Sequence, residues 1–144
     1  MDDRFVNLRG TEPLASGSSH SVYRHPQDSG ALIKLPREQT SHIKFRFYER
    51  RHRMTVERAK TRKHLISGRF PLALYLGRIS TDLGPGYLIE RISDAEGGLA
   101  MTGHDYLCAH GVDDAFVSAL NTFLDKTQLD LINLSNAIAS TYFR

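Results

Sequence analysis

The sequence predicts an α+β fold, a five-stranded antiparallel sheet carrying one long helix and followed by further helices. Three observations predict it. Residues 4–35 alternate and break as a small antiparallel meander does. A polar segment ending in Ser41 offers a cap for a long helical stretch from about His42 to Ile66, which Ser67-Gly68 terminates. The pattern then changes from strand to helix across Asp94-Ala95-Glu96-Gly97-Gly98, the one convincing linker.

In chain order, a first strand spans about Val6 to Leu14 and runs into a Ser/Gly loop. The second covers Ser21 to Arg24, and His25-Pro26-Gln27-Asp28-Ser29-Gly30 supplies the turn to a third, Ala31 to Leu35, ended by Pro36. The helix 42–66 has weak apolar periodicity, so it is expected to bury one narrow face and leave the rest wet. Pro71 to Gly77, extended to Ile79, and Gly86 to Ile92 are the remaining strands, joined by Thr81-Asp82-Leu83-Gly84-Pro85. Beyond the linker, Asp113 or Asp114 caps a helix in which Phe116, Val117, Leu120, Phe123 and Leu124 form an apolar stripe. A last segment, Leu129 to Ser140, ends in Tyr142-Phe143-Arg144, and no internal repeat is visible.

Bulk properties narrow the function classes. With 144 residues, 40% of them apolar and 24% charged, the chain is long enough to bury a real core and reads as globular, not disordered. The longest apolar run, Leu72 to Leu76, is too short to span a bilayer, and Met1-Asp2-Asp3-Arg4 lacks the apolar segment of a secretion signal. One cysteine, Cys108, excludes an internal disulfide, and a cytoplasmic protein is expected. Net charge is only +3, yet residues 44–63 hold nine Lys or Arg against two Glu. That stretch reads either as a solvated helix face or as a surface for an acidic partner. A nucleic-acid partner is not expected from this mild and local charge bias.

The chemistry concentrates near the N-terminus. The loop Ala15-Ser16-Gly17-Ser18-Ser19-His20-Ser21-Val22-Tyr23 precedes the apolar strand Ala31-Leu32-Ile33-Lys34-Leu35. In protein-kinase-like folds a small-residue hairpin covers nucleotide phosphates with backbone N–H groups, and a lysine on the next strand neutralises their charge. The plain alternatives are an ordinary hairpin turn and an edge-strand lysine. Other chemistries find no support: the seven histidines are scattered without ligand spacing, Cys108 between Leu107 and Ala109 reads as packing in an apolar helix, and no Gly-x-Ser-x-Gly elbow occurs.

Residues 14–23 with His25-Pro26, Ile33-Lys34, Leu76-Gly77, Leu83-Gly84-Pro85-Gly86-Tyr87-Leu88-Ile89 and Asn136-Ala137-Ile138 follow one another in this order. On these the chain resembles the YrbL family of PhoP regulatory network proteins, which have a protein-kinase-like fold. The resemblance implies a kinase-like small lobe over residues 1–93 and the helical start of a truncated large lobe over 94–144. It also implies a link to an envelope-stress or magnesium-responsive regulon. On that template Gly17 is the central loop glycine, with Ala15 and His20 where the outer glycines belong. Val22 roofs the adenine, Lys34 meets the α- and β-phosphates, and Ile89 and Glu90 lie at the adenine edge. Glu57 is preferred to Glu49 as the lysine's partner: Met54, Thr61 and Leu65 share its face, whereas Glu49 has Arg53 one turn on and reads as the wetter of the two.

At the catalytic end the match fails. Asn136 fits the metal-binding asparagine, but the position five residues earlier is Leu131, with Asp130 out of step, and Asn133 replaces the usual lysine. No Asp-Phe-Gly segment follows. The expected function is therefore a regulatory kinase-fold protein that binds ATP weakly, with or without magnesium, and lacks competent catalysis. The alternatives are an adaptor that binds a protein partner through the basic helix 42–66 without nucleotide, or a fragment of an active kinase-like phosphotransferase.

Overall fold

A computed structural model of the chain describes residues 5–61, 73–127 and 142–143. The chain divides into two compact units, one formed by Met1–Val56 with Leu74–Arg91 and the other by Glu57–Ala73 with Ile92–Arg144.

The first unit is built on a six-stranded sheet. Its strands are β1 (Phe5–Val6), β2 (Ala15–Ser16), β3 (His20–Arg24), β4 (Ala31–Pro36), β5 (Tyr75–Thr81) and β6 (Gly84–Glu90), in the order β1-β5-β6-β4-β3-β2. Helix α1 (His42–Thr61) follows β4. The α+β class and the long helix agree with the sequence, but the strand count does not: five were expected and six pair. Of the predicted strand from Val6 to Leu14 only Val6 is in a strand: β1 ends there, and β2 begins at Ala15, just past the expected end. Gly10 takes a positive φ of 79°, which turns the chain, and the Thr11 N–H closes on the Leu8 carbonyl at 2.9 Å. β1 then leaves the meander and runs parallel to β5, Phe5 opposite Ser80 and Val6 opposite Thr81. The Asp82 carboxylate fixes that register by accepting the Leu8 N–H at 2.6 Å.

The sheet is apolar on both faces. Val6, Leu8, Ala31, Ile33, Leu35, Ile79 and Leu88 pack together, and Tyr23 lies against them. Leu32, Tyr87 and Ile89, joined by Phe45 of α1, form a second cluster that takes in Leu14, Val22 and Tyr75. Strand alternation puts these sets on opposite faces, so the second cluster is the helix-facing side. Ile33, with no exposed surface, is the centre of the other. β5 and β6 are joined by a tight turn in which the Thr81 hydroxyl donates to the Gly84 carbonyl at 2.7 Å, while Gly84 takes a φ of 114° open to glycine.

Ser41 caps α1 as the sequence predicts: its Oγ accepts the Lys44 N–H at 3.2 Å. The buried positions Phe45, Glu49 and Val56 define the expected narrow stripe, while Ile43, Phe47 and Met54 remain exposed. The predicted end of the helix at Ile66 lies outside the described residues.

In the second unit, β7 (Met101–Thr102) pairs antiparallel with β8 (Tyr142–Phe143), and α2 (Gly103–His110) and α3 (Asp114–Thr127) follow β7 in sequence. The linker 94–98 folds back so that Ser93 and Leu99 bridge, and Ala73, Ile92 and Ala100 form a small buried cluster. Asp113, rather than Asp114, caps α3 by accepting the Phe116 N–H at 2.7 Å. Phe116 and Phe123 are its buried anchors, and Val117 of the expected stripe is exposed. Thr102 caps α2 reciprocally, its hydroxyl accepting the Asp105 N–H at 3.1 Å and donating to the Asp105 carboxylate at 2.7 Å. Thr102→Ala is expected to cost about 1 kcal/mol, read as a lowered midpoint in urea; an unchanged midpoint would remove the cap from the account of this unit. The predicted final segment, Leu129 to Ser140, lies outside the described residues.

Candidate functional site

Pairing across the sheet places Val22 opposite Lys34, Lys34 opposite Tyr87 and Tyr87 opposite Arg78. These four side chains form one transverse row, from β3 through β4 and β6 to β5, on the face that carries α1. Lys34 is partly buried in that row, and among the described residues no acid pairs with it. Burial disfavours the charged amine and holds its pKa below the usual lysine range.

The hairpin ahead of Lys34 closes through the Gly17 N–H, which donates to the His20 carbonyl at 2.9 Å. The segment after β4 braces it. The Arg37 guanidinium donates to the Gly17 carbonyl at 2.9 Å, and the Arg37 N–H and Thr40 hydroxyl both donate to the Ser19 carbonyl, at 3.1 and 2.9 Å. The N–H groups of Ser18 and Ser19, at the tip, have no acceptor among the described residues. His20 turns inward, its ring centroid 5.8 Å from Phe45, 5.3 Å from Tyr48 and 6.5 Å from Tyr87. Burial, and then the charge of Lys34, lower its pKa to about 4, so the imidazole is neutral at pH 7. Its Nδ1 lies 2.8 Å from the Ser19 hydroxyl, which ties the ring to the loop.

The exposure of the two helix glutamates is the reverse of the sequence reading. Glu49, read from the sequence as the wetter, is only 4% exposed. Its Oε1 accepts from the Tyr75 hydroxyl at 2.8 Å and from Arg78 Nε at 2.7 Å, and Arg46 Nε stands 3.6 Å from Oε2. Burial raises its pKa, but the hydrogen bonds from Arg78 and Tyr75 and the charges of Arg78 and Arg46 outweigh that, so the carboxyl sits below its ordinary range. Glu57 is 64% exposed at its side chain, 3.4 Å from Lys60 one turn on, and belongs to the second unit. The reason is helical phase: the buried positions of α1 run 45, 49, 56, and Glu57 falls one residue past the last.

Of the other sequence-predicted residues, Gly17, Val22 and Glu90 lie in the first unit with Lys34. Glu90 ends β6, where its N–H donates to the Leu74 carbonyl at 2.8 Å and its carboxylate accepts the Leu74 N–H at 3.2 Å. Asn136, with Asp130, Leu131 and Asn133, lies outside the described residues. Sequence reasoning missed Arg78 and Tyr75, whose contact with Glu49 spans 29 and 26 residues and leaves no local signal. It also misplaced Cys108, which is exposed on α2 instead of packed. Among the described residues no group of His, Cys, Asp and Glu could hold a metal ion, and no helix is long and apolar enough to cross a membrane.

Compared with known protein families, residues 6–136 match the model of a family described as PhoP regulatory network protein YrbL. No curated protein matches the chain.

Proposed function

Since the chain belongs to the YrbL family of PhoP regulatory network proteins, we propose that it is a regulatory protein which binds a nucleotide weakly on a protein-kinase-like small lobe and does not transfer phosphate. The observation that carries this reading is Lys34, an amine held in a largely apolar row with no acid partner among the described residues, on the strand paired with a hairpin whose two tip serine amides have no acceptor among the described residues. Burying a cation without a partner is unfavourable, and a phosphate at this place would supply the missing negative charge while the Ser18 and Ser19 amides met its oxygens. Val22, directly across from Lys34, would lie against the adenine. Glu90 would meet the adenine edge with its backbone carbonyl only, its amide being taken by Leu74.

The strand order also supports the kinase-like reading. β2-β3-β4-β6-β5, with α1 inserted between β4 and β5, is the arrangement of a kinase small lobe, a likeness of fold that assigns no activity by itself. The residues of the first unit suffice for the binding proposed, and neither Glu57 nor Asn136 is needed. Weak binding without turnover is expected because Leu131 stands where a catalytic aspartate would.

The test is calorimetric titration of ATP into the protein and its Lys34→Met variant, each with and without magnesium. Met keeps the aliphatic length that packs in the row while removing the charge. Binding by the parent, lost in the variant and unchanged by magnesium, is the expected result. No heat from the folded parent protein would overturn the nucleotide reading.

A further inference from the structure

Four arginines converge on one groove of the first unit. Arg46, Arg50 and Arg53 recur at i, i+4 and i+7 along α1, and Arg78 of β5 closes the opposite wall; the groove is about 430 Å³, with Ile43 and Phe47 on its rim. We propose that this groove docks an acidic, amphipathic helical segment of a partner protein. The proposal goes beyond the nucleotide reading and does not depend on it, because it uses neither Lys34 nor the hairpin.

Charge is the first argument. One carboxylate, Glu49, lines the groove, and it is already engaged by Arg78 and Arg46. Arg50 and Arg53 have no acid partner among the described residues. The groove thus carries a surplus of positive charge, and Glu49 holds two of its four arginines, Arg78 and Arg46, in place. Spacing is the second argument. Arg46 to Arg53 covers about 10 Å of helix rise, two turns, so carboxylates at i, i+4 and i+7 of a partner helix would repeat at the same interval. Arginine's planar fork suits bidentate pairing with each of them.

The rim decides between classes of partner. Ile43 is 82% and Phe47 60% exposed, side by side on the stripe that carries the arginines. Apolar groups set among arginines are the composition of protein interfaces, where Arg and aromatic residues are enriched. An aliphatic side chain offers nothing to a phosphate backbone, and a single phenyl ring is a poor platform for successive bases. An amphipathic acidic helix uses both features, its carboxylates on the arginines and its apolar stripe over Ile43 and Phe47.

The experiment is fluorescence anisotropy at low salt on the full chain. The probes are a labelled amphipathic helical peptide carrying Glu at i, i+4 and i+7 beside a Leu stripe, its Gln-for-Glu counterpart, and a single-stranded oligonucleotide of matched length. The proteins are the parent, the double variant Arg50→Glu/Arg53→Glu and Phe47→Ala, all altered at exposed positions. The inference expects the acidic peptide to bind the parent, the Gln peptide not to, and affinity to fall as salt is raised. It also expects a loss of at least about tenfold in the double variant and a smaller loss in Phe47→Ala. Failure of the acidic peptide to bind, equal affinity in the double variant, or tighter binding of the oligonucleotide would each overturn it.

Discussion

Gly86→Ala is expected to destabilise the first unit by about 3 kcal/mol, the largest effect of any single methyl group added to this sheet. A Cβ at residue 86 would lie 2.5 Å from Leu35 Cδ2 and 2.5 Å from the Lys34 carbonyl oxygen. The leucine methyl can rotate away. The carbonyl is part of β4, and relieving that overlap means moving β4 away from β6 where Lys34 faces Tyr87. The substitution therefore acts on the proposed site too, because the strand that moves is the one that carries Lys34, and nucleotide affinity should fall with stability. Gly17→Ala is the control: its Cβ would meet only the His20 carbonyl, at 3.9 Å, and the change should stay within about 0.5 kcal/mol. Urea midpoints of the two variants measure the contrast. Equal midpoints would mean that the close approach of β4 and β6 at Gly86 is not what the sheet depends on.

Local features of this chain were legible and non-local ones were not. Ser41 announces α1 because a cap is an interaction between residues three apart, and the turn cluster at 25–30 separates β3 from β4 because Pro and Gly act on their own dihedrals. β1 left no such trace. It is two residues long, and its parallel pairing depends on Asp82, 74 residues from the amide its carboxylate accepts. Alternation from Val6 onward reads as one strand, although the chain turns at Gly10. Short parallel edge strands of this kind are specified by what they meet, and the sequence at the strand itself says little about it.

The same division runs through the site. Lys34 and the Ser/Gly hairpin stood out because a charge in an apolar strand and a small-residue loop are both local anomalies. Glu49 was misjudged for the complementary reason. Spacing along a helix sees Arg53 one turn on and infers a wet face, whereas the partners that hold Glu49 arrive from β5 after the chain has crossed the sheet. Arg78 could have been found only by pairing β5 with β6 in register and asking which polar side chain shared the row with Lys34 and Tyr87.

That buried carboxylate sets the second large effect. Glu49→Ala is expected to cost about 2 kcal/mol at neutral pH, because it strips the acceptor from the Tyr75 hydroxyl and the Arg78 guanidinium at once, water making up part of the loss at the half-exposed Arg78. Glu49→Gln keeps an acceptor and should cost about 1 kcal/mol. The pH dependence separates charge from packing. With its pKa held below the ordinary 4.5 in the folded state, Glu49 contributes stability that is fully present above about pH 4.5 and is lost as pH falls through the lower folded value. His20 acts in a different window. Its folded pKa of about 4 lies below the ordinary 6.5, so the unfolded chain binds the proton first and stability declines from about pH 6.5 down to 4. Chemical denaturation across pH 3 to 8 should therefore show a two-part acid limb in the parent. The Gln variant should keep the upper part, which belongs to His20, and flatten the lower. If it instead shows the parent's full limb below pH 4.5, the charge of Glu49 is not what ties α1 to β5, and packing of Phe45 against Tyr87 must hold the helix on the sheet.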